Sequence, residues 1–215
     1  MRIAVFASGR GTNFEKIADG IVSGKIDGEI VLLFTDKEKA PAVEKARKRG
    51  INVVYLLPSK FENRESYDKE IVEILKDAGV ELICLAGYMR IVTPVLIDAF
   101  KCRILNIHPS LLPAFSGLNA QKKAVEYGVK ISGATVHIVD AGVDSGPVVV
   151  QAVVPVNPDD TQETLSKKIL FWEHRIYPQA VKWFVDGRIK VDGRKVIVDG
   201  AVYDSLPVVP ALEDF

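Results

Sequence analysis

The sequence predicts an α/β protein with an open, mostly parallel sheet, helices on both faces, and a mixed, antiparallel C-terminal part. Three observations predict it. Compact apolar runs alternate with helix-period segments through the first two-thirds of the chain. A glycine-rich turn, Ser8-Gly9-Arg10-Gly11-Thr12-Asn13, follows the first of those runs. Beyond residue 130, two apolar runs are joined by an acidic, glycine-bearing connection with no helix between them.

Taken in order, residues 2–7 are apolar and compact, the pattern of a buried strand, and the turn 8–13 leads into a helix over 14–22. Residues 29–34 read as the second strand. A helix over 41–49 follows, with Pro41 at its start and Gly50 after its end. A third strand over 52–57 precedes a long amphipathic helix over 61–78, stopped by Gly79. Residues 80–86 form a near-continuous apolar strand, and a helix over 94–100 leads to a strand over 102–107. Strands over 130–139 and 147–156 come next. A helix of about 25 residues then starts near Asp160, where Asp160-Thr161-Gln162-Glu163 has capping-box spacing. Pro178 falls inside it, so a kink is expected where its ring meets the His174 carbonyl. The tail has short strand candidates at 188–191, 195–198 and 201–203, with Asp192-Gly193 and Asp199-Gly200 as hairpin turns. These strands are expected to cover a sheet edge. No repeat, low-complexity tract or linker is visible, so one domain over 1–215 is expected.

Composition narrows the function. A chain of 215 residues can bury a core without staples. Lys plus Arg and Asp plus Glu are 28 each, a formal net charge of +0, which argues against a general nucleic-acid binder. Cys84 and Cys102 cannot build a disulfide scaffold or a cysteine zinc site. Only His108, His137 and His174 are available as imidazole ligands, so no metal is expected. Met1 and Arg2 lead straight into a strand-length run, unlike a signal peptide. No run approaches the ~18 apolar residues of a membrane span. A cytoplasmic protein with reduced thiols is expected, and a homodimer is left open.

The glycine turn sits between the first strand and the first helix. In a Rossmann-like sheet, ligands bind outside the carboxyl ends of the strands. A helix start offers unpaired N–H groups and a positive dipole end, which suit a phosphate. Gly9 and Gly11 allow close approach, and Thr12 adds a hydroxyl. The dinucleotide fingerprint is incomplete, because Phe14 stands where it needs a third glycine or alanine. An ordinary tight turn with a helix cap remains the alternative.

The segment Asn106-Ile107-His108-Pro109-Ser110 lies at the end of the strand over 102–107. Side chains two apart on a strand share a face, so Asn106 presents an amide donor beside the His108 imidazole. A donor for a developing oxyanion and a proton-transfer group are what attack on a carbonyl requires. The alternative is a structural histidine at a strand end. Ser110 is read as a turn or cap residue, since no nucleophile elbow occurs in the chain. Asp140 and Asp144 flank Gly142 in the acidic connection. A carboxylate near His108 would raise its pKa and orient it, whereas Asp beside Gly is usually a solvated turn. His137, next to this loop, reads as a packed strand residue.

Together these segments resemble the phosphoribosylglycinamide formyltransferase family, also called GAR transformylases, of purine biosynthesis. The resemblance spans about 2–187. It rests on six motifs in register: 8–13, Phe61-Glu-Asn-Arg64-Glu-Ser-Tyr67-Asp68, Leu85-Ala-Gly-Tyr-Met-Arg-Ile91, 106–113, 133–146 and Glu173-His-Arg-Ile-Tyr-Pro178. It implies transfer of the formyl group of 10-formyltetrahydrofolate to the glycinamide amine, without a metal. It implies that Gly11, Thr12 and Asn13 hold the ribose phosphate, and that Met89 and Glu173 line the glycinamide side. Folate contacts are implied for Arg64, Met89, Arg90, Ile91, Val92, Asn106, Val139, Asp140 and Asp144, and catalysis for Asn106, His108 and Asp144. On this view 1–107 is the phosphate-binding part, 108–187 the catalytic and folate part, and 188–215 the short C-terminal strands. The chain departs from the family's usual choices at Ser116, Asn119, Ile138, Ala141 and Leu170.

The resemblance also sets the rivals. A methionyl-tRNA formyltransferase should add a C-terminal domain and a basic surface. A formyltetrahydrofolate deformylase usually adds an N-terminal regulatory domain. A nicotinamide-dependent dehydrogenase would use the glycine turn for pyrophosphate, with Asp36 as its ribose carboxylate, but Phe14 breaks that fingerprint. A non-catalytic nucleotide or folate binder would bind without turnover.

Overall fold

The strand β1, Arg2–Phe6, is apolar from Ile3 onward and fully buried there, as a strand covered on both faces must be. A computed structural model describes residues 1–213. Contacts divide the chain into two compact units, 1–106 and 107–215. The first unit carries β1, β2 (Glu29–Thr35), β3 (Asn52–Tyr55), β4 (Leu82–Leu85) and the start of β5 (Ile104–His108). All neighbours pair in parallel, in the order β3-β2-β1-β4-β5. The chain therefore moves outward from β1 in one direction, then returns to place β4 on its other side. The carboxyl ends of β1 and β4 form a topological switch point, where a crevice for ligands opens in such sheets.

The connecting helices are α1 (Thr12–Val22), α2 (Pro41–Lys48), α3 (Arg64–Asp77) and α4 (Pro94–Ala99). The helix expected over 14–22 begins at Thr12 instead, because Gly11 takes a left-handed φ of 67° and acts as its N-cap. The helix expected from 61 begins only at Arg64. Asn63 caps it, and Ser66 closes a reciprocal capping box. Residues 58–60, after the third strand, form a short 3-10 turn.

The second unit carries α5 (Ala120–Tyr127), β6 (Ile131–Ile138), β7 (Val148–Pro155), α6 (Gln162–Val185), β8 (Ile189–Asp192), β9 (Lys195–Val198) and β10 (Val208–Val209). β6 and β7 are antiparallel, as the missing helix between them requires, and α6 packs against both. α5 is absent from the sequence expectations, although its residues are helix formers and Gly128 ends it at a left-handed φ of 76°. It spans eight residues, and its N-cap Asn119 makes no side-chain cap bond.

Two further expectations are corrected. No strand forms over 201–203, because that segment turns back on β9. The Ala201 N–H donates to the Val198 carbonyl at 3.1 Å, and the Val198 N–H donates to the Tyr203 hydroxyl at 2.7 Å. The outer strand is β10, which pairs antiparallel with β7 at Ala152 and Gln151 and so covers that edge. The capping box of α6 is also shifted by one residue. Thr161 and Thr164 exchange side-chain and backbone bonds, at 3.2 Å and 2.9 Å. Asp160 instead accepts from Lys168, Asn157 and Thr164, and Lys168 beside it holds its carboxyl down at about 2. α6 runs on through Pro178. Among the described residues no helix is long and apolar enough to cross a membrane.

The shifted cap separates two substitutions. Thr161→Ala should lower unfolding free energy by about 1 kcal/mol. Glu163→Ala should change it by less than about 0.5 kcal/mol, as for an exposed helix pair. Urea unfolding of both variants measures the difference.

Candidate active site

The glycine turn follows β1 at the switch point. At Gly11 a Cβ would lie 2.7 Å from the Ala42 Cβ and 3.0 Å from the Ala42 Cα, so only glycine fits its left-handed backbone against α2. This brings the start of α1 into the crevice, and the first-turn N–H groups of a helix have no intrahelical acceptor. Glu15 in that turn opposes an anion, but Lys45 pairs with it at 2.6 Å. Ser8 ties the turn to its surroundings. Its hydroxyl donates to Asp36 at 2.6 Å and accepts the Met89 N–H at 3.2 Å. Asp36 is thus bound by a serine of the turn.

The loop after β4 carries Met89, Arg90, Ile91 and Val92. The 61–68 motif holds this loop. Buried Asp68 accepts the Thr93 N–H at 2.6 Å, and the Arg90 guanidinium lies 5.2 Å from the Tyr67 ring centre. Burial pushes the Asp68 carboxyl up, against its bonds to Thr93. Val92 is buried, while Met89 and Ile91 are exposed and offer apolar surface. Arg64, at the first position of α3, is also exposed.

Asn106 and His108 lie on β5, two residues apart, and share one face of the strand. Asn106 is half-buried and His108 buried. In the second unit, His108 meets the acidic loop. Its Nδ1 lies 3.2 Å from Asp144 Oδ2, and its Nε2 lies 3.0 Å from the Phe115 carbonyl. Asp144 also accepts the Gly117 N–H at 2.8 Å, and its Oδ1 lies 3.6 Å from His137 Nε2. Asp144 is therefore no solvated turn residue. It sits at a left-handed φ of 51°, a costly place for a non-glycine residue unless its surroundings hold it. Asp140 braces the loop by accepting from Ser145 at 2.6 Å and from the Gly142 N–H at 3.1 Å. Val139 is half-buried at the start of this loop. A Cβ at Gly146 would fall 1.7 Å from the Ile138 carbonyl, so the loop's exit admits only glycine.

Burial pushes the His108 imidazole down. The Asp144 carboxylate and the Phe115 carbonyl push it up, but the net direction is down. The expected upward push of Asp144 on His108 is present, and desolvation outweighs it. Both ring nitrogens nonetheless face acceptors, and only the imidazolium donates to both. Burial pushes the Asp144 carboxyl up, but its contacts with His137, Gly117 and His108 outweigh that and hold it below the usual range.

A polar staple fixes the chain after β5. The Thr135 hydroxyl donates to the Ser110 carbonyl at 2.7 Å and accepts from the Leu112 N–H at 3.1 Å and from Gln151 at 3.0 Å. Ser110 donates to the Ala114 carbonyl at 2.6 Å, consistent with its reading as a turn residue. Glu173 is buried on α6 and is not a surface carboxylate. A cavity of about 280 Å³ opens beside Asp144, lined by Leu112, Ser116, Val143 and Arg194 among others. Arg194, at the tip of the β8–β9 hairpin, carries no sequence signal beyond its turn. Among the described residues no group of three or more His, Cys, Asp or Glu is placed to hold a metal ion.

An Asn-x-His strand end whose histidine is backed by an aspartate 3.2 Å away fits a group-transfer enzyme. Residues 1–181 match the sequence model of the formyl transferase family, and the chain belongs to that family. Its relatives include the phosphoribosylglycinamide formyltransferases of Escherichia coli and Bacillus subtilis. The first is 38% identical over 200 residues, covering 93% of this chain and 94% of that protein. The second is 42% identical over 181 residues, covering 84% and 93%. The crystal structure of glycinamide ribonucleotide transformylase 1 from Symbiobacterium toebii superposes with a TM-score of 0.91 at 48% identity, covering 92% of this chain and 93% of that one.

Two tests follow from this geometry. Thr135→Val takes the acceptor from the Leu112 N–H and the donor from the Ser110 carbonyl, both buried bonds, and should cost about 1–3 kcal/mol in urea unfolding. The second test concerns pH. A folded-state pKa below the unfolded one means that the unfolded chain binds more protons, so stability falls as pH drops. For His108 the fall begins at the ordinary 6.5, and for Asp144 at 3.8. His108→Gln should remove the earlier decline, read as unfolding free energy at descending pH.

Proposed function

We propose that this chain transfers the formyl group of 10-formyltetrahydrofolate to the amine of 5-phosphoribosyl-glycinamide, giving formylglycinamide ribonucleotide in purine biosynthesis. The observation that carries the reading is the His108–Asp144 pair, 3.2 Å apart, at the end of the strand that bears Asn106. The names of the relatives support the same substrates.

In this reading the first turn of α1, at Gly11, Thr12 and Asn13, binds the phosphate through backbone N–H groups. Met89 and Glu173 line the glycinamide. Folate lies along Met89, Arg90, Ile91 and Val92, with Arg64, Asn106, Val139, Asp140 and Asp144 as further contacts. The neutral amine attacks the formyl carbon, forming the new C–N bond. The oxyanion is held by the Asn106 amide and by an N–H of His108. Collapse breaks the bond from carbon to N10, and the proton lost by the amine ends on N10. His108 and Asp144 move that proton, through water where distance requires it.

The hydrogen bonding adds one step. Nδ1 of His108 is committed to Asp144, so only Nε2 can serve the oxyanion, and its acceptor here is the Phe115 carbonyl. The formyl oxygen takes the place of that carbonyl. The polarisation is supplied by Asn106 and His108, so the reading involves no metal. The partners are small molecules rather than nucleic acid, and the location is the cytoplasm.

The test follows folate absorbance as the protein meets 10-formyltetrahydrofolate, with and without glycinamide ribonucleotide. Loss of formyl only with the ribonucleotide is expected. Loss without it would mean a deformylase, and binding without loss a non-catalytic module. Asn106→Ala should lower turnover by about 10²–10³ and His108→Ala by about 10²–10⁴. Near-wild-type turnover in either variant would remove that residue from the mechanism.

A further inference from the structure

His137 sits in β6, a strand buried at every position from Ser132 to Ile138. The natural occupants of such a strand are Val, Ile and Leu. An imidazole there loses its water and needs polar partners. Its Nδ1 lies 3.1 Å from the Ile138 carbonyl, and its Nε2 lies 3.6 Å from Asp144 Oδ1. The other carboxylate oxygen, Oδ2, is the one that faces His108. Two imidazoles from two strands therefore bracket one carboxylate. The β6–β7 register shifts between Val136 and His137, with Val149 of β7 as the extra residue, so β6 itself keeps its alternation. Thr135, two residues earlier on the same face, already anchors the chain that follows His108.

We propose that His137 is a positioning residue for formyl transfer: it holds the second oxygen of Asp144, so that the first stays on His108. The proposal rests on the reading of His108 and Asp144 as the proton-moving pair. His137 does not touch the reacting atoms. It keeps the Asp144 carboxylate ionised and aimed, across 3.6 Å, which is longer than a close hydrogen bond. Burial pushes the Asp144 carboxyl up, and His137 is foremost among the contacts that bring it down. The other groups facing the pair are the Gly117 N–H, the Phe115 carbonyl, Lys123 of α5, which acts on His108, and Arg194, which lines the cavity with Asp144.

The variants are His137→Leu, which keeps the volume and removes the donor, and His137→Gln, which keeps an N–H near the position of Nε2. In His137→Leu, kcat should fall about 10- to 100-fold while KM for both substrates changes less than about twofold, as for a misaimed catalytic group. The acidic limb of its pH–kcat profile should move to higher pH, because Asp144 then protonates more readily. His137→Gln should recover most of kcat and return the limb towards its original place. Equal losses in both variants with an unmoved acidic limb would leave His137 a packing residue and overturn the proposal. Carbon-13 NMR of the Asp144 carboxyl reads the contact without turnover, and its midpoint should rise in His137→Leu. An unmoved midpoint overturns the contact itself. Absence of formyl transfer in the wild-type protein would instead overturn the reading on which the proposal rests.

Discussion

The carboxylate of Asp144 stands 3.2 Å from His108 Nδ1 and 3.6 Å from His137 Nε2, and accepts the Gly117 N–H at 2.8 Å. Taking such a charge out of water costs several kcal/mol unless partners replace the water. Those partners come from β5, from β6 and from the segment after Phe115. One buried charge thus fixes the relation between three stretches of chain that are distant in sequence. The Asp140 and Ser145 side chains and the tight exit at Gly146 then leave the loop little choice about where residue 144 goes.

The same demand explains the strained backbone nearby. Phe115, Asn119 and Asp144 all take positive φ without being glycine, at 54°, 60° and 51°. Each such residue costs of order 1–3 kcal/mol and persists only where its neighbours over-determine it. Phe115 places its carbonyl on His108 and Asn119 starts α5, while Asp144 carries the charge. The Thr135 staple supports this arrangement, since its buried hydroxyl bonds both the Ser110 carbonyl and the Leu112 N–H.

The parallel half was legible because strands buried on both faces write themselves as apolar runs, and glycines and prolines marked the helix ends. What escaped were elements decided by partners rather than by local pattern. α5 has no cap side chain, and β10 is two residues long and exists through its pairing with β7. Residues 201–203 alternate like a strand but bond to β9 as a turn. In the site, Asn106 and His108 were readable as neighbours because strand geometry sets their spacing. That Asp144 meets His108 came only as a resemblance, since a helix and a strand intervene. His137 looked like packing because a buried strand histidine carries no outward sign of its partner.

The balance at His108 carries the last step of the argument. Burial favours the neutral ring, whereas its two acceptors, Asp144 and the Phe115 carbonyl, favour the charged one. The net direction is down, and in the proposed mechanism it is an added negative charge beside the ring that would draw a proton onto it. Exchanging a carbonyl for an oxyanion at Nε2 would add such a charge. In the proposed mechanism the acceptor gains a full charge, so the imidazolium would be favoured when the tetrahedral intermediate forms and disfavoured again when that charge collapses. Asp144 cannot supply this alternation, since its charge is constant while it stays ionised. In that mechanism its part is to offset some of the burial at the ring, while the Phe115 carbonyl is the group at Nε2 that the substrate oxygen would replace.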